Sequence, residues 1–382
     1  MLTSIQVSMH FRGPLKLKQF AVYTPSGSSS KKSRRNSRRN AHLHNHAHAH
    51  EHKREADAAL GDMVTATING EVVSWANDYA GGATSSAASS SAEVTSAPVV
   101  KGNYFGAPSS GLSSATSTIT GTSPSSSSAS EGSIGSSSGG WSRQAYYDAS
   151  SGTKDGLVFL NHHGGSGSGV FDYSFGNSLS FSGSDGCSGA SESTVLEDCT
   201  LPSDAEVIIM SDQECQNGDC GFVREGTTAY HGFDGSEKAF FFEFQMPDDG
   251  QTTTNIYDPV NMPAIWMLNA QIPRTLQYGN ADCSCWTSGC GEFDIFEVLA
   301  PGDKRCKSTL HGNVQGGDSD YFARPTSGTI KAVVLLQDDN LHIKILDNDT
   351  EFGSSVSADT ISDICGSTLT QSKLVSLFKL GS

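Results

Sequence analysis

Three acids fall within six residues of one otherwise apolar run, Gly291-Glu292-Phe293-Asp294-Ile295-Phe296-Glu297-Val298-Leu299. Carboxylates are costly to place among apolar side chains unless they have a task. Side chains alternate along a strand, so Glu292 and Asp294 share a face. Glu297 stands at an odd offset, and a regular strand would turn it away. One extra residue, a β-bulge at Ile295-Phe296, brings it back and leaves Phe293, Val298 and one of Ile295 or Phe296 for the core. Three acids on one face suit glycoside hydrolysis with retention. One Glu is the nucleophile and the other the general acid/base, with carboxyl groups roughly 5–5.5 Å apart. Asp294 between them has a role too, because like charges at close range keep one acid protonated near neutral pH. Two plainer readings compete: an exposed acidic edge, which the interleaved apolar residues oppose, and a calcium site of oxygen ligands.

The elements that must hold such a strand begin at about Trp141. From there aromatics, cysteines and short β-rich runs follow one another, separated by Gly, Asp, Asn and Pro. Gly156–Leu160, Glu206–Met210, Lys238–Gln245, Ala264–Leu268, Ile330–Leu336 and Leu341–Leu346 are predicted strands. A short helix is expected near Thr370–Phe378. Many short strands and almost no 3.6-residue periodicity predict an all-β fold, a β-sandwich spanning residues 140–382.

The rest of the chain divides by composition. Residues 1–27 read as two short strands, SIQVSMHF and KLKQFAVY, around Gly13-Pro14. They lack the uninterrupted apolar stretch of a signal peptide. They are read as a fragment beginning in mid-domain, in a gene product that has lost its true start. Residues 28–61 hold a basic and then His-rich tract that reads as a solvated linker; the histidines could capture a metal. It carries Lys53-Arg54-Glu55-Ala56, a dibasic pair like those cut by kexin-type proteases. Residues 62–77 hold Asn69-Gly70 between two β-rich runs, a hairpin signal. Residues 78–139 are dominated by Ser, Thr, Ala and Gly, cannot bury a core, and read as a disordered stalk with hydroxyls for O-glycosylation.

The net charge of −16 hides a balance of +10 in residues 1–54 and −26 in the remainder. An acidic body excludes nucleic acid as the main partner and is compatible with a neutral polymer. No apolar run is long enough to span a membrane as a helix. The nine cysteines all lie from Cys187 onward without the paired spacing of common zinc sites, so disulfides in an oxidising compartment are expected, with one thiol left over. No cofactor and no catalytic metal are predicted. Asn348-Asp349-Thr350 is the single glycosylation sequon, and His162-His163-Gly164-Gly165 reads as a turn.

The EFDIFE segment resembles the bulged catalytic strand of family 16 glycoside hydrolases. Pro263-Ala264-Ile265-Trp266-Met267-Leu268-Asn269 and Thr309-Leu310-His311-Gly312 resemble neighbouring strands of those enzymes. More narrowly, HFRGPLKLKQFAVYTP, ATINGEVVSW and WSRQAYYDASSGTKDGLVFLNHHGG resemble the Target-of-SBF-type (Tos-like) fungal cell-wall proteins. The resemblance implies a jelly-roll sandwich, an endo-acting retaining hydrolase or transglycosylase, and cell-wall β-1,3-glucan as its polymer partner. It implies Glu292 as nucleophile, Glu297 as acid/base and Asp294 as their assistant. It also implies secretion to the fungal wall, a monomer, and an N-terminal Gly-rich β domain of which residues 1–27 are a fragment. Sugar rings stack on aromatics, so Trp266 and Trp286 are candidate substrate contacts, and His311 could hydrogen-bond the nucleophile or the substrate. The competing reading keeps the fold as an inactive, wall-bound structural or carbohydrate-binding protein.

Overall fold

The two short strands around Gly13-Pro14 do not stand apart: they run through the middle of the molecule. The structure, a computed structural model, describes residues 6–27, 63–68, 71–76, 140–255, 258–278, 291–311, 319–366 and 375–379. One compact unit, drawn from Met1–His48, Ala66–Val73 and Ser137–Ser382, holds both large sheets.

In chain order the first strands are β1 (Val7–Arg12), β2 (Lys16–Pro25), β3 (Met63–Ile68), β4 (Glu71–Ala76), β5 (Trp141–Asp148), β6 (Thr153–Asp155) and β7 (Leu157–Asn161). There follow β8 (Phe171–Asp172), β9 (Gly176–Asn177), β10 (Ser180–Ser182), β11 (Gly189–Ala190), β12 (Glu206–Ser211), β13 (Lys238–Gln245) and β14 (Ala264–Asn269). The last are β15 (Glu292–Glu297), β16 (Arg305–His311), β17 (Ser319–Ala323), β18 (Ile330–Gln337), β19 (Asn340–Leu346), β20 (Ser355–Val356) and β21 (Val375–Lys379). Two short helices, α1 (Gln271–Thr275) and α2 (Ala358–Gly366), complete the described elements.

A nine-stranded sheet runs β11-β10-β7-β12-β1-β14-β15-β16-β17, and an eight-stranded sheet runs β20-β5-β2-β13-β18-β19-β21 with β6 beside β5. Their inner faces meet in one apolar core. Phe11 of β1, Phe20 of β2, Phe159 of β7, Phe240, Phe242 and Phe244 of β13, and Phe293 and Phe296 of β15 all contribute to it. The outer face of the eight-stranded sheet is also apolar: Tyr23, Phe241 and Val333 pack with Phe352 and with Ile361 and Ile364 of α2. β3 and β4 form a separate two-stranded sheet, as Asn69-Gly70 predicts.

The expected boundary between residues 1–27 and 140–382 therefore does not hold in space. β1 pairs on both edges, with β12 and β14. β2 does the same with β5 and β13. Val7, Met9 and Phe11 point into the core, and the link between the two strands is closely fitted. A Cβ added at Gly13 would lie 2.0 Å from the carbonyl oxygen of Pro202. Composition says nothing about which strands pair across the intervening sequence.

The predicted helix at Thr370–Phe378 is also corrected. Residues 375–379 form β21 on the edge of β19, and Phe378 packs edge-to-face on Phe293 with ring centroids 4.9 Å apart. A short apolar run fits both periods, and an available strand edge decides between them. Cys215 and Cys220 form the disulfide among the described residues; Cys187, Cys199, Cys306 and Cys365 are thiols. Cys283, Cys285, Cys290, the His-rich tract, the dibasic pair and the Ser-rich stalk lie outside the described residues.

No helix among the described residues is long and apolar enough to cross a membrane. Because β1 is central, Phe11→Ala should destabilise the protein by about 3–5 kcal/mol, read from urea unfolding of the full chain. A fragment of residues 140–382 should lack a cooperative thermal transition; a sharp transition in that fragment would refute the two-strand dependence.

Candidate active site

The acid strand carries the bulge that its spacing requires. Against β14, Ile265 opposes Phe296 and Trp266 opposes Asp294, so Ile295 is the extra residue. Against β16, Asp294 opposes Thr309 while Glu297 opposes Lys307, the same one-residue slip. Ile295 and Phe296 both enter the core, rather than one of them, and the Ser308 hydroxyl donates to the Ile295 carbonyl. The bulge thereby turns two successive apolar side chains inward, and Glu297 returns to the face of Asp294.

On that outer face, Asp294 is buried and accepts a 2.7 Å hydrogen bond from Nε2 of His311. That bond, against the opposing effect of burial, raises the His311 pKa; the charges of Asp294, Glu292 and Glu297 reinforce it. Glu297 is pushed up to about 7, first by burial and then by the charge of Asp294. Arg12 and His311 oppose that rise. Nη2 of Arg12 lies 3.5 Å from Oε1 of Glu297, and its Nε donates to the Met262 carbonyl. A residue from the first strand thus sits beside the last acid of the cluster.

Trp266 is the cross-strand neighbour of Asp294, but it is only 5% exposed. It packs with Ala264, Leu268 and Ile272, stacks on His10 at 5.1 Å and has the Arg12 guanidinium 5.7 Å over its ring. It forms the floor under Arg12 rather than an open platform. Trp286 lies outside the described residues.

Farther along the same face is a group that the sequence did not single out. Glu206 accepts from Nδ1 of His10 at 2.8 Å, from Nε2 of Gln277 at 3.0 Å and from the Tyr278 hydroxyl at 2.6 Å. Burial works to raise its pKa, yet the hydrogen bonds from His10 and Tyr278 and the nearby His162 hold it at about 2. Burial lowers the pKa of His10, so a neutral imidazole donates from Nδ1 and accepts the Ser8 hydroxyl at Nε2, 2.8 Å away. His162 donates to Oε1 of Gln277 at 2.9 Å. The double histidine does precede a Gly164-Gly165 turn, but that turn delivers His162 to this network. The β1 alternation Ser8-His10-Arg12, polar between Val7, Met9 and Phe11, was the available signal.

The ligand atoms of Glu292, Asp294 and His311 lie within 4.8 Å of one another, close enough to share a divalent cation. Here Nε2 of His311 is hydrogen-bonded directly to Asp294. Cys215, Cys220 and His231 are equally close, but the disulfide has consumed both sulfurs.

Fold and site define a two-sheet β protein with an acid-lined outer sheet face, whose earliest strand lies beneath that face. Residues 139–364 match the C-terminal region of the family described as cell wall protein YJL171C/Tos1, and residues 4–25 match its N-terminal region. The chain belongs to that family. It is 42% identical over 392 residues to "Probable circularly permuted 1,3-beta-glucanase TOS1" of Candida albicans, covering 93% of this chain and 80% of that protein. It is 41% identical over 382 residues to the protein of the same name in Saccharomyces cerevisiae, covering 93% and 79%. A relative from Arthroderma benhamiae, "Probable circularly permuted 1,3-beta-glucanase", is 41% identical over 370 residues, covering 95% and 80%. No solved structure matches the chain.

The raised pKa of Glu297 has a consequence for stability. Unfolded, the carboxyl ionises near its ordinary 4.5; folded, it holds its proton to about 7. Its protonated form therefore adds stability at low pH that is lost as pH rises from 4.5 through 7. Glu297→Gln, neutral throughout, should melt progressively higher than wild type across that window. A melting-temperature difference that stays flat between pH 4 and 8 would contradict the shift.

Proposed function

We propose that this chain is a retaining, endo-acting glycoside hydrolase or transglycosylase of cell-wall β-1,3-glucan, serving the organisation of the fungal wall. The observation that carries the reading is the bulge at Ile295, which sets Glu297 on the face of Asp294 with a pKa of about 7. The names of its relatives, probable 1,3-beta-glucanases, support the same substrate.

In this mechanism Glu297 begins protonated and gives its proton to the glycosidic oxygen as that bond breaks. Glu292 attacks the anomeric carbon, forms a glycosyl ester and releases the leaving chain as an alcohol. Glu297, now a carboxylate, takes a proton from water or from a sugar hydroxyl, which attacks the same carbon and frees Glu292. Water gives hydrolysis and a sugar hydroxyl gives transfer, through the same carboxylates. Asp294 holds the proton on Glu297 by its charge, and His311 fixes Asp294 by the 2.7 Å bond. Arg12 opposes Asp294, so the acid is poised near neutrality rather than locked in one state. These residues supply general acid/base and nucleophilic catalysis without a metal or cofactor in any step.

Incubation of the full chain with laminari-oligosaccharides tests the reading. Wild type should yield shorter products by hydrolysis or longer ones by transfer, with the anomeric configuration retained in early products by NMR. Glu292→Gln and Glu297→Gln should each lower kcat/KM by at least about 10²-fold. Since the acid must be protonated in the free enzyme, kcat/KM should fall as pH rises through about 7. Binding without product in the wild type would instead fit a wall-bound binding protein.

A further inference from the structure

Five of the six large apolar side chains that stand exposed among the described residues are aromatic: Phe171, Tyr173, Phe175, Phe222 and Tyr278. Two of them, Phe175 and Tyr278, face one pocket of about 240 Å³, with His162, Asn177, Ser178 and Gln277 also on its wall. No Asp, Glu, Lys or Arg lines it. Aromatic rings beside neutral amides and hydroxyls fit an uncharged, hydroxyl-rich ring and offer nothing to neutralise an ionic ligand.

Both rings are held in place before any ligand arrives. Tyr278 is 57% exposed, yet its hydroxyl is tied to the half-buried Glu206 at 2.6 Å and its ring rests edge-to-face on His162 at 5.3 Å. Phe175 caps the β8–β9 hairpin, which Arg224 clamps through Asp172 and the carbonyls of Phe175 and Gly176. A ring already fixed loses little freedom when it stacks.

A chain of side-chain neighbours links the pocket to the acid cluster. Glu297 touches Arg12; Arg12 lies opposite Glu206 in register; Glu206 holds Tyr278 and, through Gln277, His162. From β15 to β7 the sheet is four strand spacings wide, about 19 Å. We propose that the Phe175–Tyr278 pocket is a remote subsite that grips a glucan chain several sugar units from the bond being cut, with Tyr278 as its stacking platform. The role of Glu206, His10 and Gln277 is then positioning: they hold the platform and do not touch the reacting atoms. The inference rests on the glucanase reading above.

Its test uses the full chain, a graded series of laminari-oligosaccharides and polymeric laminarin. Tyr278→Ala and Phe175→Ala should each lower kcat/KM on laminarin and long oligosaccharides roughly tenfold while leaving the shortest cleaved oligosaccharide unchanged. A variant that changes short and long substrates equally, or neither, overturns the subsite. If wild type turns over no glucan of any length, the glucanase reading fails, and the subsite is then judged by laminarin affinity. Weaker binding by both variants, each melting like wild type, sustains it, and unchanged binding overturns it. The two substitutions sit on different elements, so misfolding of one leaves the other informative.

Discussion

The pairing of β1 between β12 and β14 is the constraint on which the rest depends. A strand hydrogen-bonded on both edges, with Val7, Met9 and Phe11 in the core, joins the two halves of the nine-stranded sheet. On its outer side the same strand supplies Ser8, His10 and Arg12, which link the acids of β15 to Glu206 on β12. β2 performs the matching task in the opposite sheet, between β5 and β13. Residues separated from the sandwich by more than a hundred positions are therefore as essential to it as any strand near the acids. The core makes this pairing favourable, since about 25 cal/mol is gained for each Å² of apolar surface removed from water.

The electrostatics of the outer face are divided between two half-buried carboxylates with opposite fates. Glu297 lies near another acid, and burial together with that charge favours its neutral form. Glu206 is half-buried as well, but His10, Gln277 and Tyr278 all donate to it, and its pKa stays low. The same residue type is thus held neutral in one place and ionised in the other, according to what surrounds it. Arg12 stands between the two, close enough to Glu297 to temper its neutral state.

The acid strand was legible because its residues broke a simple pattern. Glu297 at an odd offset could reach Asp294 only through a bulge, and the register slips by one residue there. The strands after Trp141 were legible from alternation and turn residues. The place of β1 and β2 was not, because alternation identifies a strand without naming its neighbours, and a long linker hides the pairing. Glu206 and Tyr278 carried no local signal; they matter only because β12 and the segment after α1 meet beside β1. Trp266 was legible as a residue of the acid face but not as a buried one, since its cover, Arg12, comes from the other end of the chain. The segment after Gly366 misled because a strand edge on β19 was waiting for it.

The polar trio of buried Ser8 and His10 with half-buried Glu206 also bears on how the sheet finds its alignment. Strand side chains repeat every two residues, so a slip of one position exchanges every inward group for an outward one. For β1 that slip would drive an imidazole and a hydroxyl among the phenylalanines and strand Glu206 without its donor. Apolar contacts alone discriminate weakly between neighbouring alignments. A half-buried acid that finds its partners in only one of them discriminates strongly. In a chain whose first strand must slide between two others far along the sequence, this polar trio works as a key that fits one setting of the lock.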